Sequence, residues 1–256
     1  MARRPRIDFA GYHHLVNRGV ARTNVYHSTT DKEKFLEILC KACRDYKALI
    51  HDYCLMDNHY HLLLETRQEN LSLLMRQVNS NYAAFFNRKY NRSGHLWQGR
   101  YKSWYVTQEA YLYMLLRYIE YNPVKAKMAS LVGEYPYTFA HTLLNKNQIP
   151  CTDGSILARE FPADTLQEFL ELDLTAEELE QLEQEQKRAI VLEDDNSYRQ
   201  LRSMPLEKHF EDVATKQERN CAIVNAFADG HTQSSIAGYL DVSTGLVSMV
   251  IRKIED

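Results

Sequence analysis

The order of periodic segments between residues 11 and 121 constrains the fold of this chain more than any other feature. Segments with strand character alternate with amphipathic helical segments in the order strand, helix, strand, strand, helix, strand, helix. Such an order favours an antiparallel sheet that is covered by helices. The predicted strands are residues 11–18, 48–56, 59–65 and 96–106, and the predicted helices are residues 31–46, 71–90 and 108–121.

Charge divides the chain into a basic and an acidic part. Residues 1–140 contain 20 Lys and Arg against 12 Asp and Glu, a net charge of +8, whereas the remainder contains 11 against 22, a net charge of −11. We therefore predict an α+β domain over residues 1–140, an acidic α-helical connector over 141–205 and a C-terminal helix-turn-helix over 206–256. The α+β domain is expected to be ferredoxin-like, with the helices on one face of the antiparallel sheet. Its last helix is expected to end at Asn122-Pro123.

The cysteines and the apolar segments of the sequence indicate the cellular compartment of the protein. Five cysteines in 256 residues do not indicate a disulfide scaffold, because the number is odd and the chain can form a hydrophobic core. We expect Cys40 and Cys43, a C-x-x-C pair, to be packed thiols. No apolar run reaches the roughly 18 residues of a membrane span, and none follows the basic N-terminal residues. We therefore expect a cytoplasmic protein without a membrane partner.

Two histidines flank a tyrosine in the third predicted strand, at His59-Tyr60-His61. Side chains two residues apart in a strand point to the same face, about 7 Å apart at the backbone. Both imidazoles can therefore bind one metal ion, although the same spacing also occurs incidentally in ordinary strands. Tyr60 is expected to point the other way, into a core or against a helix.

The last helix of the predicted α+β domain carries Tyr118 and Asn122 one turn apart. Residues i and i+4 lie on the same helix face, so Asn122 can direct its amide oxygen toward whatever Tyr118 contacts. The chain contains 17 tyrosines, and a packing or surface role for Tyr118 is therefore the alternative interpretation at this point.

Basic and aromatic residues alternate in the segment 97–102. This pattern is typical of a surface that contacts phosphates and stacks on bases, which favours nucleic-acid binding by Trp97, Arg100 and Lys102. The alternative is an amphipathic strand with Trp97 and Tyr101 in the core.

Taken in their order along the chain, these motifs resemble those of the HUH single-tyrosine transposases. The resemblance is in particular to the REP-associated tyrosine transposases and TnpA-like insertion-sequence proteins of bacteria. The resemblance covers about residues 5–140. Two details differ from the usual pattern, because Asp57 stands where a proline is usual and Tyr60 where an aliphatic residue is usual. The matching stretches are GYHH (11–14), RG (18–19), MDNHYHLLL (56–64), LWQGRYKS (96–103) and RYIEYNPVKA (117–126).

The resemblance implies a DNA-nicking and joining transposase that acts on single-stranded hairpin DNA, such as repetitive extragenic palindromes. It implies that Tyr118 is the nucleophile of a 5′-phosphotyrosine intermediate, and that His59, His61 and Asn122 bind Mg²⁺ or Mn²⁺. One alternative is a hairpin-binding regulator that does not cut. Another is an unrelated metallohydrolase, which needs further histidine or carboxylate ligands. The implied protein is bacterial, nucleoid-associated and monomeric or homodimeric.

The C-terminal part has the pattern of three short helices, with Ser243 or Thr244 as the N-cap of the last one. This pattern is similar to a helix-turn-helix, which binds duplex DNA or, since only Arg252 and Lys253 are basic there, another protein. The residues expected to contact DNA are Arg3, Arg4, Arg18, Arg100, Lys102, Trp97 and Arg252.

Overall fold

The computed structural model describes most of the chain, which divides into two units. One unit is formed by the described residues up to Leu182, and the other by those from Glu183 onward. The described residues are 8–106, 109–145, 151–152, 154–172, 174–187, 189–192, 198–201, 205–211, 213, 215–228, 231 and 233–255.

A four-stranded antiparallel sheet forms the centre of the first unit. Its strands lie in the order β2-β3-β1-β4. Helices α1 and α2 connect β1 to β2 and β3 to β4, so the order of elements and of strands is the ferredoxin-like one that the sequence predicts. The elements are β1 (Gly11–Arg18), α1 (Thr29–Asp45), β2 (Ala48–Met56), β3 (His59–Thr66), α2 (Leu71–Lys89), β4 (Lys102–Val106) and α3 (Glu109–Lys125).

Helices cover both faces of this sheet, so the prediction that they lie on one face is wrong. Tyr60 of β3 packs against Phe35 of α1, with 5.0 Å between the ring centroids. The next residue, His61, packs against Tyr118 of α3. Because neighbouring residues of a strand point to opposite faces, α3 lies across the sheet from α1. The physical reason is visible in residues 62–64, three consecutive leucines that are all fully buried, as in strands covered on both faces.

Pro123 lies inside α3, which continues to Lys125, so the prediction that the helix ends at Asn122-Pro123 is also wrong. Proline lacks the N–H group that would bond to the carbonyl oxygen of Ile119. The side-chain amide of Asn122 compensates, since Nδ2 donates to the carbonyl oxygens of Tyr118 at 2.7 Å and Ile119 at 3.4 Å. The helix therefore gains one more turn.

Only the second half of the predicted strand 96–106 is a strand. Trp97 forms an isolated bridge with Gly19, and regular pairing with β1 begins at Lys102. Leu96 and Tyr101 are buried while residues 98–100 are exposed. This segment therefore crosses the molecular surface as a loop, because its burial does not alternate from residue to residue.

The first unit extends well beyond residue 140, where we predicted its end. Four helices follow, and five apolar side chains beyond residue 140 are buried in the same core as the sheet. The acidic α7 is also tied to α3 by an ion pair between Glu178 and Arg117. The helices are α4 (Phe139–Leu144), α5 (Ile156–Glu160), α6 (Ala163–Glu171) and α7 (Ala176–Lys187), and the buried side chains are Ile156, Leu157, Leu166, Leu170 and Leu182.

A disulfide joins Cys40 of α1 to Cys151, which corrects the prediction of two packed thiols in the C-x-x-C pair. The two half-cystines are 111 residues apart in sequence, and only the fold brings them together. Cys43 is a buried free thiol, as predicted.

The second unit contains a hairpin and a cluster of helices. The hairpin pairs β5 (Ala189–Leu192) with β6 (Tyr198–Leu201). Helices α9, α10 and α11 share a core that includes Ile223, Ile236 and Val247. Among the described helices none is by itself long and apolar enough to cross a membrane, although α10 and α11, bent by 118° at their junction, pass such a test together by length and composition. The helices are α8 (Leu206–His209), α9 (Lys216–Ala228), α10 (Gln233–Leu240) and α11 (Thr244–Glu255).

Candidate active site

Strand β3 places two imidazoles side by side on the face of the sheet that α3 covers. The ring centroids of His59 and His61 lie 5.2 Å apart. His61 is buried and His59 is half-buried. Tyr60 is fully buried on the opposite face, as the alternation of the strand predicts. One side of β3 thus belongs to the core and the other carries the histidine pair.

Helix α3 brings Tyr118 to this pair. Its buried residues Leu115, Leu116 and Ile119 anchor the helix on the sheet. The ring of Tyr118 then lies 5.9 Å from that of His61, centroid to centroid, in an edge-to-face arrangement. Tyr118 is only half-buried, so this anchoring leaves part of its side chain accessible.

The amide group of Asn122 is oriented by the backbone of its own helix. Its Nδ2 donates to the Tyr118 carbonyl oxygen, so the amide oxygen is the atom that Asn122 can offer to a ligand. Tyr118 and Asn122 are one turn apart, as predicted.

The turn before β3 fixes the proton of His59. Nδ1 of His59 lies 2.6 Å from Oδ1 of Asn58. An amide oxygen only accepts hydrogen bonds, so Nδ1 carries the proton and the lone pair of Nε2 is available to a metal. The turn itself is held by Asp57, which accepts a hydrogen bond from the buried Lys32 Nζ at 3.0 Å. This ion pair gives a structural role to Asp57, which stands at the position where the family that this sequence resembles usually has proline.

Both histidines are neutral at pH 7. Burial lowers the pKa of His59 to about 4, and the nearby charge of Arg18 acts in the same direction. Burial lowers the pKa of His61 well below its ordinary value, and His14, His59 and Arg18 add to the effect. Neutral imidazoles are the form that binds metal ions.

Two neutral imidazoles and an amide oxygen suit a divalent cation whose remaining positions are filled by water and phosphate oxygens. Over the described part of the chain, no three His, Cys, Asp or Glu side chains are grouped so that they could hold a metal on their own. The candidate donors are His59 and His61, which lie side by side, and Asn122, one helix turn from Tyr118. The additional ligands that a metallohydrolase needs are not found among these residues.

Basic residues lie beside the histidines on the same face. Arg18 of β1 is paired with His59 in the strand register. The exposed Lys102 of β4 is paired with Val16, which is itself paired with His61. Directly paired residues share a face, so both cations flank the pair. Arg100 is exposed in the loop before β4.

Trp97 lies on the other face of the sheet and does not join this group. Its Nε1 donates to the Asn79 carbonyl oxygen at 3.0 Å, and its ring packs against Tyr60 and Tyr82. The core interpretation of Trp97 therefore replaces its predicted stacking on bases. Arg3 and Arg4 lie outside the described residues, as does the side chain of Arg252.

A buried carboxyl pair between α3 and β2 was not predicted. Glu120, between Tyr118 and Asn122, is buried; its Oε1 accepts from Ala140 N at 2.7 Å. Its carboxyl group interacts electrostatically with that of Asp52 on β2, and burial raises the pKa of Glu120 to about 7 and that of Asp52 well above its usual range. The pair therefore links the tyrosine helix to the sheet. In the sequence, only the pattern of a charged residue on an otherwise apolar helix face could have indicated it.

His14 and Trp104 also complete the site without having been assigned to it. The His14 ring lies 6.2 Å from that of Tyr118 and 5.2 Å from that of Trp104, centroid to centroid. The alternation of β1 gives His14 the same face as Arg18. No sequence pattern gives the register that brings it to His61.

Comparison with known proteins identifies the part of the chain that contains this site. Residues 9–122 match the family model described as "Transposase IS200 like". The match begins just before β1 and ends at Asn122. It thus contains the histidine pair, Tyr118 and the basic residues around them.

Two solved structures are similar over parts of the chain. One is the structure of a REP-associated tyrosine transposase bound to a REP hairpin, with a TM-score of 0.48 and 19% identity over 64% of this chain and 96% of that one. The other is a crystal structure of a candidate transposase from Deinococcus radiodurans R1, with a TM-score of 0.34 and 18% identity over 47% of this chain and 96% of that one. Among curated proteins, no sequence match was found.

Proposed function

Because residues 9–122 match the model of the IS200-like transposase family, we propose that this chain cuts and rejoins single-stranded DNA beside hairpins through a covalent tyrosine intermediate. The observation that carries this proposal is the contact between Tyr118 and His61, next to the second histidine of β3. A half-buried phenol beside two neutral imidazoles is suited to attack a phosphate. A hairpin-binding regulator would not need this combination.

In the proposed reaction, Oη of Tyr118 forms a bond to the phosphorus of a DNA phosphodiester. The bond from phosphorus to the 3′-oxygen breaks, the phenol proton passes to solvent and the departing oxygen takes one up. The products are a 5′-phosphotyrosine and a free 3′-hydroxyl. Attack by another 3′-hydroxyl reverses the step and joins new strands, so that the energy of the phosphodiester is conserved without ATP.

Tyr118 needs help in this step, because a phenol with a pKa near 10 is a weak nucleophile at neutral pH. A bound Mg²⁺ or Mn²⁺ would supply Lewis-acid polarisation of the phosphate. His59, His61 and Asn122 would hold the ion, while α3 holds Tyr118 in the orientation for attack.

Arg18 and Lys102 are proposed to bind the phosphates on either side of the scissile bond. Both cations share the face of the histidine pair, and phosphate contacts of this kind position a nucleic acid without reading its sequence. Arg100, in the loop before β4, would extend the same path. The proposed substrate is therefore a single strand, which can follow this path while the hairpin lies beside it.

The helix cluster of the second unit is proposed to choose or hold the target rather than to take part in chemistry. Ser243 caps α11 by accepting from Leu246 N at 3.3 Å, as the sequence predicts for a helix-turn-helix. The bend between α10 and α11 is compatible with that motif. Its partner would be duplex DNA or a second protein chain.

A strand-cleavage assay with end-labelled DNA tests the proposed function. The full chain is incubated with a single-stranded hairpin and Mn²⁺, and the products are separated under denaturing conditions. We expect the fragment with the new 5′-end to stay attached to protein and the other fragment to carry a free 3′-hydroxyl. Binding of the hairpin without any cleavage would favour the regulator instead.

A further inference from the structure

His14 makes a contact that the proposed chemistry has not yet used. Its Nε2 lies 3.1 Å from Nδ1 of His61, and the two rings are stacked with 5.4 Å between their centroids. His14 is fully buried, and Trp104 of β4 stacks against it as well. The imidazole is thus held in one orientation, with Nε2 directed at His61.

This contact controls which nitrogen of His61 can bind a metal. A neutral imidazole carries one proton, so a hydrogen bond between two of them has one donor and one acceptor. If His61 Nδ1 carries the proton and donates to His14, the lone pair of His61 Nε2 is available. If His14 donates instead, the proton of His61 lies on Nε2 and blocks it.

We propose that His14 is a positioning residue that accepts the Nδ1 proton of His61 and thereby presents Nε2 of His61 to the divalent metal. The inference rests on the proposed function and assigns a role to His14, to which the sequence analysis gave none. It parallels the neighbouring histidine, because Asn58 accepts the Nδ1 proton of His59 in the same way. When a histidine binds a metal through one ring nitrogen, a group that accepts the proton of the other nitrogen orients the ring and raises metal affinity.

Among the described residues, the other groups around His14 do not accept the Nδ1 proton of His61. Its own second nitrogen, Nδ1, is buried and has no hydrogen-bond partner among the described residues. The Tyr118 ring is edge-on to both histidines. Nε2 of His14 is therefore the buried atom that forms a hydrogen bond with the histidine pair, at His61 Nδ1.

Mn²⁺ affinity of the full chain without DNA, measured by titration calorimetry or electron paramagnetic resonance, tests this role. His14→Phe keeps a flat ring and removes the acceptor, and we expect it to weaken binding by about 10- to 100-fold. His14→Gln retains an acceptor oxygen and should recover part of the affinity. His13→Phe is the matched control, because His13 is equally buried on the other face and bonds to the Phe9 carbonyl oxygen.

Thermal unfolding of each variant separates positioning from packing. A loss of affinity in His14→Phe but not in His13→Phe, at similar loss of stability, supports the inference. Equal Mn²⁺ affinity of His14→Phe and the unsubstituted chain overturns it and leaves the proposed function intact. Absence of Mn²⁺ binding by the unsubstituted chain contradicts the proposed metal site itself.

Nitrogen-15 spectra of the unsubstituted chain with Mg²⁺ provide a test that does not depend on a variant that folds. The inference predicts that His61 carries its proton on Nδ1 when the ion is bound. A proton on Nε2 of His61 in the presence of the ion would overturn it.

Discussion

The ring of Tyr118 stands at 76° to the ring of His61, with 5.9 Å between their centroids. The two residues come from different elements, helix α3 and strand β3, and the core residues of α3 hold them together. A displacement of the helix would separate them without changing either side chain.

Removing either histidine of the pair should stop cleavage. We expect His59→Ala and His61→Ala each to lower the cleavage rate about 100-fold or more, because metal polarisation of the phosphate contributes several kcal/mol. Chelation by EDTA should have the same effect on the unsubstituted chain. The control is His95→Ala, since His95 is exposed in the loop after α2. Undiminished cleavage in EDTA would mean that the histidines have another role.

Single-stranded DNA affinity should fall steeply with salt, and Lys102 should account for part of that slope. Each phosphate contact contributes about 0.7 to the slope of log affinity against log salt for single strands, so Lys102→Ala should lower it by about that amount. Lys34→Ala is the matched control, because Lys34 lies on α1, across the sheet. Fluorescence anisotropy at several salt concentrations measures both. Equal slopes for Lys102→Ala and the unsubstituted chain would show that Lys102 does not contact a DNA phosphate.

Local periodicity was enough to predict the strands and helices up to residue 90 and the histidine pair. Strand β2 was predicted at residues 48–56 and spans Ala48–Met56, because its ends coincide with turn residues. The side of the sheet that α3 covers was not predicted, since only tertiary packing decides it. The pairing of His14 with His61 depends on strand register, which is a non-local property.

The extent of the first unit was obscured by charge. The net negative charge after residue 140 predicts a solvated connector, whereas Leu166, Leu170 and Leu182 are buried. The helical spacing of Leu166 and Leu170 was the signal that could have placed α6 on the core. A fragment of residues 1–140 would lack this part of the core, so tests of DNA binding belong to the full chain.

Protein stability should show the titration of the carboxyl pair formed by Glu120 and Asp52. The folded-state pKa of Glu120 is raised to about 7, so the folded chain retains a proton that the unfolded chain loses near pH 4.5. The pair therefore contributes stability that is present at low pH and declines as the pH rises toward 7. Buried histidines such as His59, whose pKa is lowered, act in the opposite direction below pH 6.5.

The comparison with Glu120→Gln isolates this contribution. Glutamine keeps an oxygen for Ala140 N and cannot ionise, so between pH 5 and 7 the variant should gain stability relative to the unsubstituted chain. Thermal unfolding across this range measures the difference, with Glu134→Gln as a control on an exposed surface carboxylate. A stability difference that stays constant with pH would show that the pair does not titrate there.

Removal of residues from Ala189 onward should separate chemistry from target choice. All proposed catalytic residues lie in the first unit, whose core ends at Leu182. We therefore expect near-normal cleavage of a short hairpin at saturating concentration, and weaker binding of a longer site or weaker self-association, since linked modules raise effective concentration. Loss of cleavage by a folded truncated chain would mean that the second unit completes the active site.

The identity of the nucleophile tests the central claim most directly. Tyr118→Phe removes the attacking oxygen and almost no volume, and Tyr121→Phe is the matched control, because Tyr121 is exposed on the same helix. Each variant is incubated with labelled hairpin DNA and Mn²⁺, and the adduct is located by denaturing gel and peptide mass spectrometry. We predict that the unsubstituted chain and Tyr121→Phe carry DNA on Tyr118, and that Tyr118→Phe binds DNA normally but forms no adduct. An adduct of undiminished yield in Tyr118→Phe would contradict the proposed mechanism.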